Sequence, residues 1–309
     1  MHIETLQTFC AVVETGSVSL AAKRSRVTQS AVSQQLRALE QRYGRRLIER
    51  APRTRARPTE AGQLLYATLE PLLARLLDVE QRLRARPGVM TGNVRVATVY
   101  SVGLHTLPPA LKQFLRRHPS VSVRLEYRRT DQIYDACLSG ELDFGIVALP
   151  TRRAQLLITP LFEDELVLAL PPDHPLARQR KVSLQALNGL PFVAFDRDIP
   201  TRRWVDKALR RASASVSYVM ELDNIETIKR SVEAGLGVSI LPAPALHNEV
   251  RAGTLVERAL REGPLRREIA AIRRRGKELS EAASAFLELL QRDSDSASGD
   301  GRQRLSGSP

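Results

Sequence analysis

Residues 17 to 50 constrain the fold more than any other stretch of this chain. They read Ser17-Val18-Ser19-Leu20-Ala21-Ala22-Lys23-Arg24, then Val27-Thr28-Gln29-Ser30-Ala31-Val32-Ser33-Gln34-Gln35-Leu36-Arg37-Ala38-Leu39-Glu40, then Gly44 and Leu47-Ile48-Glu49-Arg50. The pattern predicts a short helix, a tight turn and a longer helix. Val32, Leu36, Leu39 and Tyr43 recur at i, i+4, i+7 and i+11, which makes one apolar face. Ser30, Ser33, Gln34 and Arg37 make a second face of donors and acceptors with no acid. A face of that kind suits a groove lined with base edges and phosphates, so the expected partner is duplex DNA. An ordinary solvated surface helix would show a similar polar face, and the flanking sequence decides between the two.

Leu6, Phe9, Cys10 and Val13 give an amphipathic helix ahead of this pair. Thr28 is placed to cap the longer helix and Gly44 to stop it. After Leu47-Ile48 comes Arg50-Ala51-Pro52-Arg53-Thr54-Arg55-Ala56-Arg57-Pro58, with four arginines and no acid. That stretch reads as a wing reaching for the phosphate backbone.

The stretch resembles the N-terminal domain of LysR-type transcriptional regulators. The resemblance rests on Phe9, Gly16-Ser17, Leu20-Ala21-Ala22, Gln29-Ser30-Ala31-Val32-Ser33, Leu36, Leu39-Glu40, Gly44, Leu47, Glu49-Arg50 and Thr59-Glu60-Ala61-Gly62, in order and spacing. Two positions depart from the family: Ser25 replaces an apolar residue between the helices, and Ile48 replaces a Phe. Both are core positions, so they bear on packing rather than on DNA contact. The resemblance continues to about residue 290, mainly as a pattern of strands and helices.

Composition sets outer bounds. A chain of 309 residues with 43% hydrophobic content can build two or three cores. No apolar run approaches the roughly 18 residues of a membrane helix, and the N-terminus lacks a signal-peptide pattern. Cys10 and Cys137 fall in different expected domains and read as core residues rather than a disulfide or metal pair. The expected compartment is the cytoplasm. Residues 1 to 90 hold 15 Lys+Arg against 8 Asp+Glu, so the excess charge of +13 is densest at the N-terminus.

A long helix is expected from 59 to 86. Leu65, Leu69, Leu72, Leu76, Val79 and Leu83 are spaced 4, 3, 4, 3 and 4, a heptad seam that favours a coiled-coil dimer over a core helix within one domain. Pro71 removes one backbone hydrogen bond and should bend it. Beyond residue 92 the period changes. Strands are expected near 94–99, 121–127, 142–147 and 165–170, with helices at 107–114 and 131–138. A second set follows: strands near 192–195, 216–220 and 238–241, with helices after Pro200 and over 224–234. A return strand at 267–273 and a closing helix at 279–290 complete it. The order implies a mostly parallel sheet with helices on both faces. The LysR resemblance makes this an α/β effector domain of the periplasmic-binding-protein-like, two-lobed type. Expected boundaries are 1–58 for a winged helix-turn-helix, 59–87 for the linker and dimerisation helix, and 92–292 for the effector domain. Lobe 1 takes about 92–164 and 266–292, and lobe 2 about 165–265. A tail of 293–309, rich in Ser, Gly and Asp, is expected to be disordered.

Ligands in open α/β sheets sit beyond the carboxyl ends of strands. Three loops there carry hydroxyls and arginines, and Ser101, Thr130, Thr201 and Arg202 are the expected effector contacts, suited to a small anion. Helix caps and solvated arginines would look the same from sequence. For DNA, Gln29, Ser30, Ser33, Gln34 and Arg37 are expected in the major groove, with Arg50, Arg53 and Arg55 on phosphates or the minor groove. Gly235-Leu236-Gly237 ends a helix and is no dinucleotide loop. His105, His118, His174 and His247 lack metal-ligand spacing, and no nucleophile elbow is present. The expectation is therefore a regulator rather than an enzyme. It has no cofactor beyond an effector, and its partners are promoter DNA, a small-molecule effector and a second copy of itself. The resemblance implies a tetramer and contact with RNA polymerase. The rival expectation is an α/β solute-binding or enzymatic protein with a helical appendage.

Overall fold

The computed structural model describes residues 2–49, 56–84 and 89–303. The chain divides into two compact units, Met1–Arg86 and Pro87–Pro309.

In the first unit, α1 (Ile3–Thr15), α2 (Val18–Ser25) and α3 (Gln29–Tyr43) enclose a core of Phe9, Val12, Ala21, Val32, Leu36 and Leu39. The Ser17 side chain caps α2 by accepting from the Leu20 N–H, and Thr28 caps α3 by accepting from Ala31. Gly16 and Gly44 end α1 and α3 in the left-handed conformation. Two short antiparallel strands, β1 (Ile48–Glu49) and β2 (Arg57–Pro58), form the base of the wing. Tyr43 does not join the core: it is 44% exposed, because α3 ends on it and the chain turns away at Gly44.

The long helix α4 (Glu60–Arg84) is continuous through position 71. Its heptad seam is not one surface. Leu69 is buried in the helix-turn-helix core, with Leu65, Tyr66 and Leu73 packed beside it. Leu64, Leu72 and Val79 lie on an adjoining stripe and are exposed. A 3.6-residue helix drifts across a 3.5-residue pattern, so a seam read as single is shared between two faces.

The second unit begins with β3 (Gly92–Thr98), α5 (Tyr100–His105), α6 (Leu107–Arg117), β4 (Val121–Tyr127), α7 (Thr130–Ser139) and β5 (Phe144–Ala148). Then come β6 (Leu156–Leu170), β7 (Lys181–Val182), β8 (Pro191–Phe195), α8 (Pro200–Arg211), β9 (Ser217–Leu222), α9 (Ile225–Glu233) and β10 (Ser239–Pro242). The unit closes with α10 (His247–Ala252), β11 (Val256–Leu260), β12 (Leu265–Arg274) and α11 (Glu281–Gln303).

The sheet is mixed, which corrects the expectation of a mostly parallel one. β3 pairs parallel with β4 and β5, but β12 runs antiparallel to β5 and β6, and β10 and β11 run antiparallel to β6. The cause is the pair β6 and β12, which pass from one lobe to the other and carry the chain across and back. Their register places Arg267 opposite Asp164. Lobe 1 packs Val96, Phe114, Phe144, Ile146 and Phe286 around this sheet, and α11 returns to it, with Phe286 and Phe114 ring centroids 4.8 Å apart. Lobe 2 packs Leu168, Leu187, Phe192, Val205 and Ile240 on one face and Val193, Ile228, Val232 and Leu246 on the other. The segment after 292, expected to be irregular, continues α11 to Gln303; no proline interrupts it there.

Candidate functional site

The polar face of α3 stands clear of the core. Gln29, Ser30, Gln34 and Arg37 are exposed and Ser33 is half-buried. Gln29 Nε2 donates to Ser19 Oγ at 2.9 Å, which ties the start of α3 to α2. Near the other end of α3, the Glu40 carboxylate accepts from the backbone of Leu47. The base of the wing is thereby held against the longer helix. The turn before α3 passes through Arg26 in the left-handed region at φ 54°. Arg50, Arg53 and Arg55 lie outside the described residues.

In the second unit, a cavity of about 270 Å³ lies between the lobes. Lobe 1 supplies Ser101 at the start of α5 and Thr130 at the start of α7; lobe 2 supplies Thr201 at the start of α8. Each follows a strand's carboxyl end, where a right-handed crossover puts a helix start beside the cleft. Tyr100, Tyr134, Phe195 and Ile199 provide apolar wall.

Arg202 does not line this cavity. It is 3% exposed, and its guanidinium donates to Asp206 at 2.8 Å, to Glu221 at 3.2 Å and to the Phe195 carbonyl at 2.7 Å, while stacking 4.0 Å from the Tyr218 ring. Its place is taken by the next residue. Arg203 lines the cavity and is exposed, and its side chain has no hydrogen-bond or ion-pair partner among the described residues. One helical residue rotates the side chain by 100°, and that rotation separates a structural arginine from one facing the cleft.

Sequence reading did not single out Arg267. It is 2% exposed and donates through Nε and Nη2 to Asp164, through Nη1 to Thr201 Oγ1 at 3.0 Å and through Nη2 to Ser101 Oγ at 3.0 Å. A signal existed. Arg267 alternates in phase with the buried Ile269 and Ala271, and Asp164 with Leu166 and Leu168. An arginine and an aspartate at core phase on two strands are a buried pair that must be partnered.

Two further bridges cross between the lobes. Arg129 pairs with Asp198, and with Asp196 at 3.3 Å. His105 Nε2 lies 2.7 Å from Glu226 Oε1, and Glu226 in turn meets the buried Lys229, which is held by Glu249. Burial pushes the His105 imidazole below its ordinary value. The Lys229 charge adds to the fall and the Glu226 contact opposes it. Arg128 is committed to Glu126 and Glu141, and Arg153 stacks 4.2 Å from the Tyr134 ring at the cavity's edge.

The buried Cys10 and Cys137 are far from thiolate chemistry, each pushed up to about 12, chiefly by burial. Among the described residues no group of His, Cys, Asp or Glu is placed to hold a metal ion, and no helix is long and apolar enough to cross a membrane.

The chain matches two family models: the lysR-family bacterial regulatory helix-turn-helix protein over residues 3–63 and the LysR substrate binding domain over residues 87–295. It is 32% identical over 290 residues to the uncharacterized HTH-type transcriptional regulator YeiE of Escherichia coli, covering 93% of this chain and 97% of that one. Full-length CbnR complexed with its target DNA superposes with a TM-score of 0.75 at 23% identity, over 94% of this chain and 99% of that chain. The regulatory domain of CcmR from Synechocystis PCC6803, in complex with 2-PG, superposes with a TM-score of 0.61 at 27% identity, over 66% of this chain and 98% of that chain. The chain belongs to the LysR family of DNA-binding transcriptional regulators.

Proposed function

We propose that this regulator reads promoter DNA as a symmetric dimer and changes that reading when an anionic metabolite occupies the cavity between its lobes. Gln29, Ser30, Ser33, Gln34 and Arg37 enter the major groove. Gln34 and Arg37 address base edges, since each can form paired hydrogen bonds to adenine or guanine. Arg50, Arg53 and Arg55 hold phosphates or the adjacent minor groove. The exposed stripe Leu64, Leu72 and Val79 on α4 is the face that pairs two copies, and two such dimers make a tetramer. RNA polymerase is a further partner. The protein acts in the cytoplasm, catalyses no reaction and uses no cofactor besides its effector.

The observation that carries the effector reading is the cavity's makeup. It brings together the hydroxyls of Ser101, Thr130 and Thr201 with Arg203, a cation with no carboxylate partner among the described residues. An unpaired arginine beside three hydroxyls favours a carboxylate or similar oxyanion. CbnR bound to its target DNA and CcmR bound to 2-PG support the two halves of the reading. The ligand acts by stabilising one arrangement of the lobes over another.

The test is selection of bound sequences from a random duplex pool by the purified protein at near-physiological salt. Enrichment of an interrupted inverted repeat is expected from a two-fold dimer. A pool that stays random, with DNA lost steeply as salt rises, would reduce the interaction to phosphate attraction and remove the sequence-specific reading.

A further inference from the structure

The hydroxyls of Ser101 and Thr201 sit on opposite lobes and are both held by one side chain. Arg267 stands on β12 directly opposite Asp164 on β6, the two strands that connect the lobes. Of the five N–H groups on its guanidinium, two go to Asp164, one to Ser101 and one to Thr201. All four residues are buried, and Ser101, Thr201 and Arg267 border the cavity. Each hydroxyl has therefore spent an acceptor lone pair on Arg267, while its proton has no acceptor among the described residues. A buried donor without an acceptor is costly, and a hydroxyl polarised by a cation donates more strongly.

We propose that Arg267 is a positioning residue that makes the middle of the cleft a pair of donors. By occupying the acceptor side of Ser101 and Thr201, it turns both hydroxyl protons into the cavity. The group that fits between them is an acceptor-only oxygen, such as a carboxylate, a sulfonate or a fully ionised oxyanion. Because Asp164 offsets its charge, Arg267 supplies orientation, and the ligand's charge is met by Arg203 at the cavity wall. Since Ser101 belongs to lobe 1 and Thr201 to lobe 2, one bound oxygen joins both lobes through a fixed centre. This assignment rests on the anionic reading of the cavity and adds the ligand's polarity and the residue that enforces it.

The experiment is calorimetric titration of the full-length protein with sulfate, acetate and succinate as probes. Saturable binding by the wild type is expected, weakened at least threefold in Arg203→Gln. The pair Ser101→Ala with Thr201→Val should lower affinity about tenfold, the loss of hydrogen bonds to a charged group. Arg267→Lys keeps a charge opposite Asp164 but cannot reach both hydroxyls, and should lose a similar factor. Combined with the hydroxyl pair, Arg267→Lys should add less than twofold, because it acts through groups already gone. A further tenfold loss on that background would make Arg267 a direct contact or a general structural support and overturn the proposal. Unchanged binding by Arg267→Lys alone would do the same while leaving the anionic reading standing. If no probe binds the wild type, or if Arg203→Gln and the hydroxyl variants all bind like it, the anionic reading fails and this proposal with it. Should Arg267→Lys melt well below the wild type, the charge-neutral pair Arg267→Gln with Asp164→Asn takes its place in the same cycle.

Discussion

The Glu40 carboxylate accepts the backbone N–H of Leu47 at 3.0 Å and that of Ile48 at 3.4 Å, so the end of α3 grips the first strand of the wing. Leu47 and Ile48 are buried, and their N–H groups would otherwise lack a partner of that strength. Glu40→Ala should destabilise the first unit by about 1–3 kcal/mol. It should also weaken DNA binding evenly across sequences, because it misplaces the wing without removing a base contact. Glu40→Gln keeps an acceptor oxygen and should recover most of both losses. Binding titrations on the selected site and on single-base variants of it are the check. A loss confined to one base position would instead make Glu40 a reader of sequence.

Gly62 and Gly44 are both glycines for different reasons. A Cβ on Gly62 would lie 2.0 Å from the Leu47 carbonyl oxygen, backbone that cannot move without dragging the wing. A Cβ on Gly44 meets nothing within 4 Å, but its φ of +62° is one that side chains disfavour. Gly62→Ala and Gly62→Asn should both cost about 1–3 kcal/mol by overpacking. At Gly44, Asn enters the left-handed region and should be tolerated far better than Ala. Denaturant unfolding of the four variants separates the two causes. Equal penalties for Asn and Ala at Gly44 would refute the conformational account.

Arg37 lies exposed on the polar face of α3, which it shares with Ser30, Ser33 and Gln34. Arg37→Ala should lose about 1–3 kcal/mol at one base position and relax the preference there. Comparing selected pools from wild type and variant reads this directly. An equal loss on every sequence, with a shallower salt dependence, would move Arg37 to the phosphate backbone.

The parts legible in the sequence are those whose partners are close along the chain. The capping of α3 by Thr28, its stop at Gly44 and its core face at Val32, Leu36 and Leu39 all follow from spacings of a few residues. Tyr43 broke the pattern because periodicity continues a face past the point where the helix ends. On α4 the periodicity was real, but Leu69 is used by the helix-turn-helix core while Leu72 is left exposed. Sequence cannot tell those fates apart without the neighbouring helices. The cleft divides the same way. Ser101, Thr130 and Thr201 were legible as helix starts after strands, whereas Arg267 meets Asp164 across 103 positions, through a strand register that no local pattern encodes. Residue type alone does not reveal which of the adjacent Arg202 and Arg203 finds carboxylates inside the lobe.

Burial of His105, which meets Glu226 across the lobes, should make the second unit sensitive to mild acid. The groups facing the imidazole are Glu226, Lys229 and Glu249, and burial is the largest influence on it. Its folded value lies below the ordinary histidine value of 6.5. Above 6.5 both folded and unfolded chains carry a neutral ring, and the contribution to stability is complete. As pH falls below 6.5 the unfolded chain takes up a proton that the folded one resists. Stability is therefore lost progressively, until pH passes the folded value. His105→Gln retains a donor toward Glu226 and does not titrate. Its melting temperature should change less than the wild type's between pH 7.5 and mildly acidic pH, and the difference between the two curves should open only below about 6.5. Melting curves that stay parallel through that range would assign the acid sensitivity to other groups and leave His105 a structural contact.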